Sequence, residues 1–345
     1  MKSKKVLLQS AVLILAVLLL VRESAVSQAA SEALLIAANR VIPSLFTYMV
    51  ISGITVKLGL ADGLGKIIPM KVFGLPACTA PVLVTGIMCG FPVGASASRV
   101  MYESGRIIDD EAARLCALSS HVSPAFYIGV IGPLFSSKAF GWFLFFSGIV
   151  YTVLYGIITG RKRKITPASN QPSVQKPDPV SAFCTSVTEA CSSCLAVTGF
   201  IVFFRAVSAC ISSVIQAAEP FAAVLFEFSG GVIFASRTGG LKGFALCGFA
   251  VGFSGLSVLA QIASCTSGPK IPFAPILVSK LTEGVFMSVA ASLYYLLFQP
   301  EQALSAVSTV YPSSSVFTVV LPILLFSVFL AGKFFRCDDK FRAGT

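Results

Sequence analysis

Charged residues are scarce in this chain of 345: Asp, Glu, Lys and Arg together make up 12%, against about 25% in an ordinary soluble domain. A soluble globule of this length could not cover its surface with so few. Histidine and tryptophan occur once each. Any Ser–His or Cys–His catalytic pair must therefore use His121, and no companion carboxylate sits near it in sequence. The chain has no Gly-x-Ser-x-Gly elbow, no HExxH run and no P-loop. These absences argue against an enzyme and against an ATP-driven pump in this chain. Any transport would be passive, ion-coupled or powered by a partner. The ten cysteines do not build a metal centre either. Six of them sit singly in apolar runs as small hydrophobes, and Cys191 with Cys194 forms a CxxC that has no second pair. Neither a metal nor a cofactor is expected.

What the sequence does have is apolar length. Hydrophobic residues make up 55% and the mean hydropathy is +0.86. Disorder needs the opposite balance. Lipid is the solvent for most of the chain, and at ~20 residues per spanning helix there is room for several spans. The net charge of +11 would suggest nucleic acid in a soluble protein. Here the basic residues cluster in short loops beside apolar runs, as the positive-inside rule requires, and no aromatic-interleaved basic face exists to bind nucleic acid.

Residues 1–28 hold a basic start and the apolar run VLLQSAVLILAVLLLV. Ser27-Gln28-Ala29 would suit a signal cleavage site. A retained first span is the preferred reading, since polytopic proteins rarely need a cleaved leader. Residues 29–159 follow as a first repeat: an amphipathic stretch to 42, a helix from Pro43 to about 60, a proline- and glycine-punctuated hairpin with GFPVGA (90–95) at its tip, a charged helix from Asp109 broken at Ser120–Pro124, and a clean span at 139–159. Residues 160–181 form a polar linker with four consecutive basic residues, Arg161 to Lys164, and are expected to be cytoplasmic. Residues 182–298 repeat the order of features: a helical approach and a span at 195–215, FEFSGG at a glycine-interrupted tip, a helix from 240 broken at Gly252–Leu256, and a span at 273–298. Residues 299–345 add a last span, 312–335, and a basic tail. With both termini cytoplasmic, the two hairpins enter from opposite faces. The expected fold is an all-α polytopic membrane protein of two inverted repeats, each with a re-entrant helical hairpin and a broken transmembrane helix, as in many secondary transporters.

Several residue runs also resemble a known family. Asn39-Arg40-Val41-Ile42-Pro43-Ser44-Leu45-Phe46, Gly90-Phe91-Pro92-Val93-Gly94-Ala95, Tyr102-Glu103-Ser104-Gly105-Arg106-Ile107, Glu111-Ala112-Ala113-Arg114-Leu115 and Ser123-Pro124-Ala125-Phe126 look like the nucleoside-recognition or gate domain. Glu227-Phe228-Ser229-Gly230-Gly231 and Gly252-Phe253-Ser254-Gly255-Leu256-Ser257-Val258 fit in the second half. Together, over residues 5–335, they are most similar to the YlbJ-type sporulation integral membrane proteins. The family usually has an asparagine pair where this chain has Ser120 and His121. The resemblance implies a fold like that of concentrative nucleoside transporters. It further implies export of dipicolinic acid from the mother cell across the outer forespore membrane. A nucleoside carrier and a non-transporting sporulation scaffold are the alternatives.

Helix breaks in a bilayer survive only when buried in protein or lining a wet cavity, and half-helix N-termini attract anions. If the four breaks converge, they form a pocket for a small anion, bordered by Gly90, Pro92, Gly94, Ser96 and Arg99, by Ser120, His121 and Ser123, and by Ser229, Gly230, Ser254, Gly255 and Ser257. The competing reading is that the glycines only permit tight helix packing. Arg99 suits a carboxylate, or else snorkels or pairs with Glu103 at i+4. Glu227 is the candidate for coupling to a proton or sodium ion, against a salt bridge to Arg205 or Arg237. His121 is a relay or a hydrogen-bonded structural residue. Arg205, mid-span, contacts substrate or joins an ion pair. Lys280 and Glu283, three apart on one helical face, read as a local pair rather than a site. The oligomeric state is left open.

Overall fold

The computed structural model describes residues 2–161, 163, 178–215, 219–266, 268 and 270–299. Most of the 160–181 linker, the expected last span at 312–335 and the basic tail lie outside the described residues. Among those described, the structure is all helical and contains no strand.

Helix α1 (Lys2–Val21) ends where Arg22 leaves helical geometry, and α2 (Glu23–Ile36) departs at 91° to it. The chain then passes through a π-helical turn, Ala37–Val41, into α3 (Ile42–Leu58). Pro43 explains the turn. It has no N–H for the carbonyl four residues back and its ring crowds that turn, so the ladder widens by one residue there. The same device recurs at Tyr127–Ile131, ahead of Pro133. Gly59, in the left-handed region at φ 62°, closes α3. The Leu60 N–H donates to the Thr55 carbonyl and the Gly59 N–H to that of Val56, a Schellman ending.

Short 3-10 turns over 62–79 lead to the first hairpin, α4 (Ala80–Cys89) and α5 (Val93–Glu103). Helix α6 (Asp109–Ser119) opens with three acidic residues, as the helix dipole favours. Glu111 reaches back to accept from the Ile108 N–H. After an extended break the chain resumes as α7 (Pro124–Phe126), the second π turn and α8 (Gly132–Leu134). Helix α9 (Lys138–Gly160) follows, capped by Ser137. In the second half, α10 (Pro179–Val214) is one unbroken helix of 36 residues, not an approach followed by a separate span. Its start is fixed by Asp178, whose carboxylate accepts from the Val180 and Ser181 N–H groups, with Pro179 at the first position. Then come α11 (Glu219–Phe226), α12 (Phe228–Thr238), α13 (Gly240–Phe253), α14 (Gly255–Thr266) and α15 (Ala274–Phe298).

Among the described residues, five stretches are long and apolar enough to cross a bilayer: Asp109–Leu134, Lys138–Gly160, Pro179–Val214, Gly240–Thr266 and Ala274–Phe298. The bent α1–α2 pair makes a sixth if taken as one. Their outward faces are apolar. Val278, Leu281, Val285, Val289, Leu293 and Leu296 line one side of α15, and Trp142, Phe146, Val150, Leu154 and Ile158 one side of α9. Spacing of three and four residues keeps each set on a single helical face, and a stripe of this kind is what hydrocarbon covers.

Inside, helices approach closely. Gly86 and Gly94, one on each arm of the first hairpin, both sit against the Ser119 carbonyl, where a Cβ would collide with backbone. Gly252 packs in the same way against Glu283 and Gly284 of α15. Phe135, Phe140, Phe244 and Tyr294 fill the space among α9, α13 and α15. Replacing Gly94 with Val should therefore overpack the hairpin against α6 and lower stability by about 1–3 kcal/mol. The check is a depressed melting temperature of the detergent-solubilised protein. An unchanged melting temperature would show that the hairpin is not clamped there.

Candidate functional site

The four helix breaks meet in pairs, and the pairs meet each other. At the first tip, Gly90 adopts φ 80° and lies against Ser123 and the His121 carbonyl. The next residue, Phe91, donates its N–H to that carbonyl at 2.8 Å. At the second break of α13–α14, Ser254 and Gly255 are both left-handed, at φ 67° and 76°. Gly255 abuts the backbone of Phe226, Glu227 and Phe228 at the second tip. Three phenylalanines join the two halves. The Phe228 ring stands edge-on to Phe91 (centroids 5.2 Å) and against Phe126 (4.9 Å). The sequence left convergence as a condition for a polar pocket; the breaks do meet, and aromatic rings fill the meeting point.

Glu227 ends the non-helical stretch and caps α12. Its carboxylate accepts from the Ser229 N–H (3.1 Å), the Ser229 hydroxyl (2.5 Å) and the Gly230 N–H (2.9 Å), and the side chain is buried. The positive end of α12 is thus occupied by the chain's own carboxylate. Neither Arg205 nor Arg237 reaches it as a salt bridge within 4.0 Å among the described residues. The Arg205 guanidinium instead lies against Gly230, at the place where a Cβ would sit. No described carboxylate pairs with it.

The remaining expected residues scatter. Pro92 and Gly94 are buried beneath the first tip. Ser96 lines a shallow cleft between α3, α5 and α10 with Ser52 and Ser186. Arg99 pairs with Glu103 at 2.7 Å on an open helix face, the i+4 geometry its spacing allows. Ser120 is buried and contacts the Cys116 thiol at 3.7 Å. The Ser254 hydroxyl donates to the Val251 carbonyl (2.9 Å), which α13 leaves behind at its end. Ser257 accepts from the Gln261 amide at 3.2 Å.

The residues underweighted in the sequence are Lys280 and Glu283. Both are wholly buried, at 0% exposure, and His121 is 5% exposed. Lys280 Nζ lies 2.7 Å from Glu283 Oε2, and His121 Nδ1 lies 2.8 Å from Oε1 of the same carboxylate. His121 Nε2 lies 2.8 Å from both the Leu118 carbonyl and the Thr152 hydroxyl. Beside this triad, the Tyr151 hydroxyl donates to the Ser279 carbonyl at 2.7 Å, tying α9 to α15. One signal was present: two charges inside an apolar 25-residue helix are functional candidates by default. No spacing rule links them to a histidine 162 positions away.

With apolar outward faces, several spans and polar helix ends gathered inside, this is a multi-pass integral membrane protein. The chain is similar to the sporulation integral membrane protein YlbJ of Bacillus subtilis (strain 168), with 24% identity over 302 aligned residues covering 74% of each chain. That similarity supports the YlbJ-type resemblance read from the residue runs. No family model matches the chain, and no solved structure matches it.

Removing one member of a buried ion pair leaves its partner uncompensated, at a cost of about 3–5 kcal/mol, whereas an apolar replacement of both is often neutral or better. Lys280→Met should accordingly destabilise far more than the Lys280→Met/Glu283→Leu double variant. Thermal unfolding in detergent reads the difference. Equal losses in the two would mean that the pair is not coupled.

Proposed function

We propose that this protein is a carrier rather than an enzyme, and that it moves a small organic anion across a membrane. The observation that carries the reading is the meeting of both hairpin tips and both helix breaks at one buried junction inside the membrane-spanning core. Irregular backbone at that depth is tolerated only where it is buried in protein or lines a wet cavity, and in secondary transporters such broken helices build the substrate site. The element order α4–α5, α6–α8, α9 recurs as α11–α12, α13–α14, α15, and we read the two as inverted repeats of the gate-domain type, with cytoplasmic termini.

Arg205 supports an anion as the cargo. It sits mid-span, beside the junction, with no described carboxylate as partner, and guanidinium binds carboxylate through two parallel hydrogen bonds. The similarity to YlbJ supports a role in sporulation. With it comes the cargo that the family resemblance implies: dipicolinate, moved from the mother cell across the outer forespore membrane.

The test is dipicolinate entry into vesicles that hold the purified protein and entrapped terbium. A saturable luminescence signal is expected, and Arg205→Met should abolish it without affecting insertion. Loss in Arg99→Ala instead would move the site to the outer arm of the first hairpin. Silence under proton, sodium and null gradients would overturn the anion carrier. Saturable uridine uptake in its place would favour a nucleoside carrier, and no uptake of either a scaffold.

A further inference from the structure

The His121 contacts fix a proton count. The Leu118 carbonyl can only accept, and α6 stops before the N–H that would normally serve it. The Thr152 hydroxyl can place its single proton on the Gly148 carbonyl at 2.9 Å, which leaves it able to accept from His121 Nε2 alongside the Leu118 carbonyl. On the other side of the ring, Nδ1 faces the Glu283 carboxylate. A neutral imidazole offers one N–H and one lone pair, and here both nitrogens face acceptors. The arrangement is satisfied only with one further proton on the pair, either as imidazolium against carboxylate or as a carboxyl that donates to Nδ1. Lys280 compensates the far oxygen of Glu283.

The groups around the pair are few. Tyr127, from the π turn, and Tyr151, on α9, feel the Glu283 charge. Cys247 on α13 lies beside Tyr127, and Cys116 on α6 is near Lys280 and Cys265. No other described carboxylate or cation acts on Glu283. A small cavity, of about one water's volume, opens beside His121 and is lined by Thr152, Gly148 and Tyr127. The Tyr127 hydroxyl, buried there, has no hydrogen-bond partner among the described residues. Glu227 is spent differently, holding three donors of α12.

We propose that the His121–Glu283 pair, with Lys280 behind it, is the coupling-proton site of the carrier. The inference rests on the carrier reading above. The proton comes from water by way of the cavity at Thr152 and Tyr127 and returns to water; only an N–H or O–H bond forms and breaks. While it is bound, Nε2–H holds the last carbonyl of α6, and the His121 backbone carbonyl holds the Phe91 N–H of the first tip. Once it is lost the ring keeps a single N–H, which the Glu283 carboxylate holds on Nδ1, and the Leu118 carbonyl is left without its donor. That loosens the one residue that joins the broken helix to the hairpin, so the proton locks the junction and its release frees it.

His121 is the chain's only histidine, so nitrogen NMR of histidine-labelled full-length protein in lipid nanodiscs, purified without a histidine tag, reports it alone. The expected result is a ring protonated on both nitrogens, as its two acceptor contacts require. A one-proton ring accompanied by a protonated-carboxyl infrared band that disappears in Glu283→Gln supports the site equally. A one-proton ring without that band overturns it. In the terbium vesicles, a pH gradient should drive dipicolinate above equilibrium, and the Lys280→Met/Glu283→Leu variant, which leaves neither charge of the pair buried without its partner, should lose that accumulation. Saturable wild-type flux indifferent to the gradient overturns coupling and leaves the carrier standing. If wild type shows no flux, the carrier and its coupling fall, and the spectra alone decide whether the pair holds a proton.

Discussion

A helix that ends inside a bilayer leaves backbone donors and acceptors that hydrocarbon cannot satisfy, at several kcal/mol for each group. The rest of this structure follows from how those ends are served. The Phe91 N–H takes the His121 carbonyl, the His121 ring takes the Leu118 carbonyl, Glu227 takes two N–H groups of α12, and the Ser254 hydroxyl takes the Val251 carbonyl. Each partner comes from the break itself or from the break packed against it. The junction therefore holds together only as a unit, and glycines stand where its backbones touch.

Charge enters the same way. Burying ions is expensive, and mutual attraction offsets the cost only when the hydrogen bonds are complete. Lys280, Glu283 and His121 form their pairs across two elements: a continuous helix supplies two members and a broken one the third. The ion cluster is thereby mechanically attached to the break, so a change in its proton count acts on the tip of the first hairpin. Arg205 stands apart, beside Gly230 and without a described carboxylate.

Much of this was legible in the sequence. Scarce charge and long apolar runs gave a polytopic all-helical protein, and Gly90, Pro124, Gly230 and Gly255 marked breaks that the structure contains. The spacing of Arg99 and Glu103 foretold their pairing. Other features were hidden because they depend on distance in space. The 91° bend at Arg22 has no glycine or proline to announce it. Helix α10 runs through a stretch that reads as two segments, because its composition changes along its length while its hydrogen bonding does not. Lys280 and Glu283 looked self-sufficient at three residues apart, and only the fold brings His121 to them. The three phenylalanines at the junction read as ordinary apolar residues until their rings met.

On the carrier reading, the contact between the two tips has to open for cargo to pass. The direct test is to join them: Phe91→Cys and Phe228→Cys in a cysteine-free background, linked by a short bifunctional reagent across rings that now lie 5.2 Å apart. The account predicts that linking arrests dipicolinate flux into vesicles and that a cleavable link restores it on reduction. Flux that continues at full rate through linked protein would contradict it, because the path would then lie somewhere other than between the tips.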